Sequence, residues 1–385
     1  MSGIYIHIPF CKQACHYCDF HFSTSMKKKD EMILALAKEI ALRKNEAEFD
    51  TIETIYFGGG TPSTLTIVDL RLLIDEVYAN YKVVDNPEIT LEANPDDLTS
   101  DLSFQEKKNR FEELKAIGIN RLSIGIQSFF EDDLKMMNRA HNANEAKKCL
   151  EEASTYFDNI SLDLIYGIPG MSNEKWIQNI ETALSFDIPH ISSYALTVEP
   201  KTALHSFIQK GIIAAPEDEV AQEHFEILVE KLEEAGFIHY ELSNFGKENY
   251  FSKNNSSYWL GKKYLGIGPS AHSYDGKIRG WNVSNNALYL KAIQEGKLPL
   301  ETETLSTTDR YNEYVMTGLR TIWGISLERI KTEFGQNYLD YLNQQAAKYI
   351  EDHLLFVDEN ILRTTRKGKF LSDGIASDLF LLNLE

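Results

Sequence analysis

The first half of the chain alternates short apolar, β-branched runs with longer stretches in which apolar residues recur at helical spacing. The short runs predict six strands, at residues 3–8, 52–57, 88–93, 120–126, 159–164 and 190–197. Helices are predicted in the stretches between them, for example at residues 31–44, 67–78, 144–156 and 173–186. Strand–helix units in series predict parallel strands with helices outside, which is an α/β fold forming a full or partial (β/α)6 barrel of the TIM type.

Beyond residue 200 the pattern changes. An amphipathic helix is predicted at 217–234, a strand at 238–242 and a glycine-containing apolar segment at 264–273. From about residue 306 the pattern predicts helices and then a short hairpin, at 307–320, 326–333, 336–350, 354–357 and 361–363, before a last helix. Helices followed by a two-stranded wing are typical of a winged-helix-like domain. We therefore expect a barrel core at 1–200, an extension and connecting region at 201–305, and a C-terminal helical domain at 306–385.

Each predicted strand ends in an unusual string of residues. These strings are Pro9-Phe10-Cys11, Gly58-Gly59-Gly60-Thr61-Pro62, Leu91-Glu92-Ala93-Asn94-Pro95, Gly125-Ile126-Gln127-Ser128-Phe129, Asp163 to Gly170, and Tyr194 to Pro200. In parallel barrels the reactive residues lie at the carboxyl ends of the strands. The six strings should therefore meet on one face.

Composition and charge narrow the class of protein. The 385 residues are 43% hydrophobic and 25% charged, which is ordinary for a globular protein. A net charge of −19 argues against binding nucleic acid or an anionic membrane, so we expect the C-terminal domain to pack or to act as a lid. No apolar run approaches the roughly 20 residues of a transmembrane helix. With no signal-peptide pattern and no disulfide framework, we expect a soluble protein of a reducing cytoplasm.

Three of the four cysteines, Cys11, Cys15 and Cys18, lie within eight residues in a C-x3-C-x2-C spacing. Thiolates this close indicate an iron–sulfur or a zinc site. A zinc site usually takes four protein ligands, and here the fourth is missing locally. Three thiolates on a four-iron cluster leave one iron open, and that iron can bind a substrate. The fourth cysteine, Cys149, is expected to be a buried helix thiol.

The cysteine spacing, with Tyr17 directly before the third cysteine, resembles the signature of the radical S-adenosylmethionine (SAM) superfamily. The resemblance implies a [4Fe–4S] cluster on Cys11, Cys15 and Cys18, whose open iron is chelated by the amino and carboxylate groups of SAM. The string Gly58 to Pro62 is similar to the glycines that contact SAM in that superfamily.

A more specific resemblance is to the family of oxygen-independent coproporphyrinogen III oxidases, in which similar strings occur in the same order. The strings are Ile4 to Cys11, Gly58 to Pro62, Gly125 to Phe129, Asn138 to His141 and Asp163 to Gly167. This resemblance maps SAM-contacting positions onto Tyr5, Tyr17, Gly59, Gly60, Thr61, Glu92, Gln127, Arg139, Asp163 and Ala195. Carboxylates suit the ammonium and ribose diol of SAM, and an arginine suits its carboxylate.

Within that family the chain resembles the branch of HemW haem chaperones. The oxidases carry a fourth cysteine at the position of Phe20, and a long segment before the first cysteine. The branch also has an H-N-x-x-Y-W string linked to haem binding, which corresponds here to Asn254 to Trp259. Asn254 replaces the histidine, and an amide is a poor ligand for haem iron. His239 and His272 are alternative ligands, although ordinary hydrogen-bonded histidines are the favoured interpretation.

The resemblance implies a haem chaperone that binds haem and transfers it to an unidentified acceptor protein, with the [4Fe–4S] cluster and SAM in a supporting role. It leaves open whether the chain forms a homodimer and whether SAM is cleaved. The alternative is an enzyme that decarboxylates two propionates of coproporphyrinogen III oxidatively. Phe20 and the H-N-x-x-Y-W-like string favour the chaperone.

Overall fold

The computed structural model describes residues 2–46, 51–99 and 104–382. Its centre is a set of neighbouring parallel strands, and every predicted strand of the first half is present. They are β1 (Ser2–Ile8), β2 (Ile52–Gly59), β3 (Val83–Ala93), β4 (Arg121–Gln127), β5 (Ile160–Tyr166) and β6 (His190–Ala195). β3 begins at Val83 rather than at residue 88. The expected first domain begins at Met1 and the expected last domain ends at Glu385, and both of these residues lie outside the described ranges.

The helices between these strands cover the outside of the sheet. They are α1 (Lys29–Leu42), α2 (Ile67–Asn80), α3 (Pro95–Thr99), α4 (Phe104–Ala116), α5 (Glu131–Met136), α6 (Ala143–Ala153) and α7 (Asn173–Leu184). Thr66 caps α2 in a reciprocal capping box, and Ser172 caps α7 through the backbone amide of Lys175. β1 buries Ile4, Ile6 and Ile8 on one face and carries Tyr5 and His7 at the alternate positions, on the other face. Cys149 is buried in α6, as predicted.

The sheet extends beyond the parallel strands at both edges and stays open. On one side β9 (Tyr264–Ile267) pairs in parallel with β1, and β10 (His272–Tyr274), β11 (Ile278–Asn282) and β12 (Leu300–Thr304) follow antiparallel. On the other side β6 is followed by β8 (Asn244–Gly246) and then β7 (Ile238–Glu241). Within the described residues, β1 to β12 thus form one twelve-stranded sheet, which is a partial barrel as predicted.

The middle of the chain supplies further helices around this sheet. They are α8 (Ala203–Gln209), α9 (Asp218–Glu234), α10 (Lys253–Trp259) and α11 (Asn286–Gln294). α10 carries the string that was compared with the haem-linked motif. α11 packs against α1.

The C-terminal residues form a helical unit with its own hydrophobic cluster and a small sheet. Its elements are α12 (Thr307–Leu319), β13 (Ile325–Ser326), α13 (Leu327–Arg329), α14 (Gln336–Glu351), β14 (Leu355–Asp358), β15 (Ile361–Thr364), α15 (Arg366–Lys369) and α16 (Ser372–Asp378). The predicted helix at 326–333 is only partly correct. After α13 the chain widens into a π-helical turn, Ile330–Phe334, which ends at Gly335 with φ of 108°.

The C-terminal unit packs against the β7 edge of the large sheet. Phe370 contacts Phe225 with ring centroids 5.4 Å apart. The amide of Ile322 donates to the carbonyl of Tyr240, and Lys369 Nζ donates to the carbonyl of His239. Within the described ranges, no helix combines the length and the apolar character that crossing a membrane requires.

Candidate cluster and cofactor site

The cysteine loop follows β1 and is closed at its base. The amide of Ser23 donates to the carbonyl of Pro9 at 3.0 Å, and the amide of Cys11 donates to the carbonyl of Ser23 at 3.1 Å. The residues between these two points, which carry all three predicted ligands, therefore leave and re-enter the sheet at one place. Cys11 itself is buried, whereas Cys15 and Cys18 are partly exposed.

The tip of the cysteine loop is fixed to the end of α5 and to the segment that follows it. His16 Nδ1 lies 2.8 Å from the carbonyl oxygen of Met136, and Asn138 Nδ2 donates to the carbonyl of Ala14 at 2.7 Å. Gln13 Nε2 in turn donates to the carbonyl of Asn138 at 2.9 Å. Asn138 has φ of 57°, a left-handed conformation that asparagine tolerates better than most residues. These contacts fix the position of the next residue, Arg139.

The three cysteines open into a cavity of about 430 Å³ at the carboxyl ends of the strands. This size is in the range of small-molecule sites. All but one of the predicted site residues line it: Cys11, Cys15, Tyr17, Cys18, Gly59, Gly60, Thr61, Glu92, Gln127, Arg139, Asp163 and Ala195. Tyr5 lines a neighbouring cavity instead. Asn94 and Tyr194, which belong to the strand-end strings but were given no role, also line the first cavity, as does Ser123, which the sequence did not indicate.

Arg139 reaches across the cavity towards the thiols. Its Nη1 lies 3.2 Å from Cys15 Sγ, and its Nη2 donates to Asn94 Oδ1 at 2.7 Å and to the carbonyl of Gly125 at 2.8 Å. Nε has no hydrogen-bond partner among the described residues. A guanidinium held in this way presents a fixed positive charge beside the cysteines.

Two carboxyl groups face the same cavity. Glu92 accepts from the Tyr56 hydroxyl at 2.8 Å and from the Gly59 amide at 3.2 Å, and burial raises its pKa to about 7. Burial also raises the pKa of Asp163 to about 7, although Arg121 and Arg139 oppose the shift. A cation entering the cavity would pair with both carboxylates and lower both pKa values.

The glycine string after β2 brings backbone against the base of the cysteine loop. A Cβ on Gly60 would lie 2.5 Å from the carbonyl oxygen of Phe10 and 2.8 Å from that of Ile8. The amides of Gly60 and Thr61 donate to these same two carbonyls, at 2.8 and 2.7 Å. Only glycine fits at position 60 without moving the backbone.

The donors in the cavity suit an iron–sulfur cluster. Burial raises the pKa of Cys18 to about 11 and raises that of Cys11, so cluster assembly would release protons from these thiols. Among the described residues, no three His, Cys, Asp or Glu are grouped for one metal ion. Each thiolate of a [4Fe–4S] cluster binds a different iron, so cluster ligands surround a volume instead of meeting at one atom. The cavity beside the three cysteines supplies that volume.

A second cavity of about 510 Å³ adjoins the first. Both cavities are lined by Asp19, Phe20, Gly59 and Glu92. The rest of its wall is aromatic and histidine-rich, and includes Tyr5, His7, His21, Tyr258, Tyr264 and His272. The sequence contained one indication of this second cavity, since His7 interrupts the apolar residues of β1.

The three residues considered for haem ligation occupy different environments. Asn254 is buried and its Oδ1 accepts from the Thr54 hydroxyl at 3.0 Å. His239 is also buried, stacked on Phe245 at 4.1 Å, and burial lowers its pKa to about 3. Both are therefore packed into the interior of the fold. Of the three, His272 alone lines one of the two cavities described above.

Comparison with known proteins agrees with this geometry. The family model described as "Radical SAM superfamily" matches residues 5–183, and the model described as "HemN C-terminal domain" matches residues 305–371. A solved structure titled as coproporphyrinogen III oxidase (HemN) from Escherichia coli superposes with a TM-score of 0.82 at 22% identity, covering 98% of this chain and 89% of that one. The fold and the three-cysteine cavity thus define the radical SAM class of protein.

Whole-length relatives narrow the class further. The heme chaperone HemW of Bacillus subtilis is 36% identical over 380 residues, which is 97% of this chain and 98% of the relative. The HemW of Mycobacterium tuberculosis is 32% identical, over 98% of this chain and 94% of the relative. A zebrafish protein named "Radical S-adenosyl methionine domain-containing protein 1, mitochondrial" is 30% identical, over 100% of this chain and 88% of its own. The chain belongs to the HemW family of the radical SAM superfamily.

Proposed function

We propose that this protein is a haem chaperone, which binds haem and transfers it to an acceptor protein. The whole-length similarity to relatives named heme chaperone HemW carries this proposal. Phe20 supports it, because the oxidases have a fourth cysteine at this position. The Phe20 side chain lines both cavities and is 68% exposed.

In this proposal Cys11, Cys15 and Cys18 hold a [4Fe–4S] cluster, and SAM occupies the rest of the first cavity. When bound, the cluster supplies an open iron for the amino and carboxylate groups of SAM and a source of one electron. Arg139 offsets the negative charge of the thiolates and of the SAM carboxylate.

The remaining cavity residues would bind and orient SAM. Glu92 and Asp163 would pair with its positive charge and its ribose hydroxyls, while Gly59, Gly60 and Thr61 let the backbone approach it. Tyr17, Gln127 and Ala195 would complete the wall. Tyr5, which lies on the second cavity, would contact SAM only through the shared wall near Glu92.

The test is a haem titration of the anaerobically reconstituted full chain. The chaperone predicts stoichiometric binding with a shifted Soret band, followed by loss of that band when an apo-haem protein is added. Incubation with dithionite, SAM and coproporphyrinogen III should leave the porphyrinogen unchanged. Accumulation of protoporphyrinogen without haem binding would instead support the oxidase alternative.

Several properties complete the proposal. We place the protein in the cytoplasm, and we assign residues 1–200 to the radical SAM barrel core, 201–305 to its extension and 306–385 to a domain that packs on the barrel. The acceptor is a protein that lacks its haem.

A homodimer is one form in which transfer could occur. Sedimentation of the haem-loaded chain, compared with that of the haem-free chain, tests whether haem binding changes the oligomeric state.

A further inference from the structure

His272 stands at the start of β10, facing the second cavity. Its ring lies beside Trp281, with centroids 6.3 Å apart. Within the described residues, no group hydrogen-bonds to either ring nitrogen. Burial and the nearby Arg279 lower the pKa of His272, which favours the neutral imidazole that binds metals. The side chain is thus an available nitrogen ligand at a cavity wall.

The other two histidines of this cavity already have partners. His7 Nε2 lies 2.8 Å from the carbonyl oxygen of His21, and His7 Nδ1 lies 3.2 Å from the Tyr5 hydroxyl. His21 Nε2 lies 2.7 Å from Asn286 Oδ1, which leaves only Nδ1 available. His7 would therefore have to give up a hydrogen bond to bind a metal, and His21 offers one ring nitrogen, whereas both ring nitrogens of His272 are available.

The walls around His272 suit a flat, largely apolar ligand. Tyr258 and Tyr264 meet edge to face at 4.6 Å, and Tyr5 stacks on Tyr56 at 6.0 Å. Phe20 forms part of the boundary with the first cavity. Aromatic side chains bury large apolar areas and present faces on which a conjugated ring can stack.

The turn that carries His272 is held by a buried carboxylate. Glu39 Oε2 accepts from the Gly268 amide at 2.8 Å, and Glu39 Oε1 accepts from Asn282 Nδ2 at 2.7 Å. Asn282 also donates from its side chain to the carbonyl of Gly268 at 2.8 Å, and from its backbone to the carbonyl of Ala271 at 3.0 Å. These bonds fix the chain on both sides of the turn, so the position of His272 is built into the fold.

We propose that the second cavity is the haem site of this chain and that His272 is an axial ligand of the haem iron. This inference rests on the proposed haem-chaperone function and names the site that performs it. A ferric or ferrous porphyrin iron takes a neutral imidazole readily, whereas Asn254 offers only an amide, is buried and does not line the cavity. The porphyrin would lie against Tyr258, Tyr264 and Phe20, next to the SAM cavity.

The experiment is a hemin titration of the full chain and of His272→Ala, with His353→Asn as a matched control. His353 is exposed in the C-terminal unit with φ of 57°, a conformation that asparagine accepts. We expect His272→Ala to bind hemin at least tenfold more weakly and to lose the optical and electron paramagnetic resonance features of an imidazole-ligated haem. Added free imidazole should restore those features, which a merely structural role of His272 would not allow.

The outcomes are separable. If the unaltered chain binds no hemin, both this inference and the proposed function fail. If it binds hemin and His272→Ala keeps the same affinity and spectra, only the ligand assignment fails. His21→Ala identifies the competing ligand: loss of the imidazole signature in that variant, with His272→Ala unaffected, would move the ligation to His21.

Discussion

At the scale of residues, the site is defined by buried charges that a bound cation would balance. Glu92 and Asp163 both have pKa values raised to about 7 by burial, so each is poised to change protonation near neutral pH. Arg139 remains charged at any pH of interest. The cavity therefore offers two titrating anions and one fixed cation to a ligand that carries both signs of charge.

SAM binding should depend on pH because of these two carboxyl groups. Their ionised forms attract the permanent sulfonium charge, so affinity should be constant above both pKa values. It should fall below about pH 7 by up to about tenfold per pH unit for each group. Isothermal titration calorimetry between pH 6 and 8.5 measures the affinity for SAM. Glu92→Gln should bind SAM more weakly and with a shallower pH dependence, and an unchanged slope in both Glu92→Gln and Asp163→Asn would contradict the assignment.

Cys15→Ala should abolish the cluster. Its thiol lies at the cavity beside Arg139, and a cluster with only two protein thiolates loses one of its anchored irons. The reconstituted variant should be colourless near 400 nm and contain little iron. Cys149→Ala, which changes a buried helix thiol outside both cavities, should reconstitute like the unaltered chain. Full iron content in Cys15→Ala would refute the ligand set.

At the scale of elements, the strand ends could be predicted and the loop contacts could not. Apolar runs of strand length identified β1 to β6, and parallel pairing then placed the strings containing Cys11, Gly60 and Glu92 on one face. The sequence did not indicate that Asn138 fixes the tip of the cysteine loop, because that contact joins residues 124 positions apart. Likewise the second cavity depends on β9 pairing with β1, which brings residues near 270 beside β1.

Gly60→Ala should separate the glycine turn from the cysteine loop. The new Cβ would meet two backbone carbonyl oxygens, which cannot rotate away as side chains do. We expect SAM affinity to fall at least tenfold, together with a cluster that is lost faster in air. Gly374→Ala is the control, since that position lies in α16 with open space around it and alanine favours helix. Equal SAM affinity in the two variants would show that the turn tolerates displacement.

At the scale of the whole molecule, one buried carboxylate joins distant parts of the chain. Glu39 on α1 contacts Arg43, Asn282 and Tyr289, in addition to the amide of Gly268. It thereby connects the first helix to α11 and to the turn before β10. Its position on the buried face of α1 is polar where the helical pattern expects an apolar residue, and its partners near residues 268, 282 and 289 are too distant along the chain to be predicted from the pattern.

Glu39→Ala should therefore destabilise the protein strongly. Removing one partner of a buried ion pair typically costs about 3–5 kcal/mol. Arg43 keeps its second partner, Glu46, so the loss here comes mainly from the buried donors of Gly268, Asn282 and Tyr289, which are left without their acceptor. Urea unfolding measures the loss. Glu31→Ala on the same helix should change stability by less than about 0.5 kcal/mol, because Glu31 is exposed and its nearest cation, Lys28, lies 3.9 Å away. Similar effects of the two substitutions would mean that the Glu39 network does not support the fold.

The most direct test of the account is the electron paramagnetic resonance spectrum of the reduced, anaerobically reconstituted chain, recorded with and without SAM. The central claim is that Cys11, Cys15 and Cys18 hold a cluster with one open iron facing the SAM cavity. It predicts about four iron atoms per chain and a spectrum whose g values change when SAM binds. A spectrum that is identical with and without saturating SAM would contradict it.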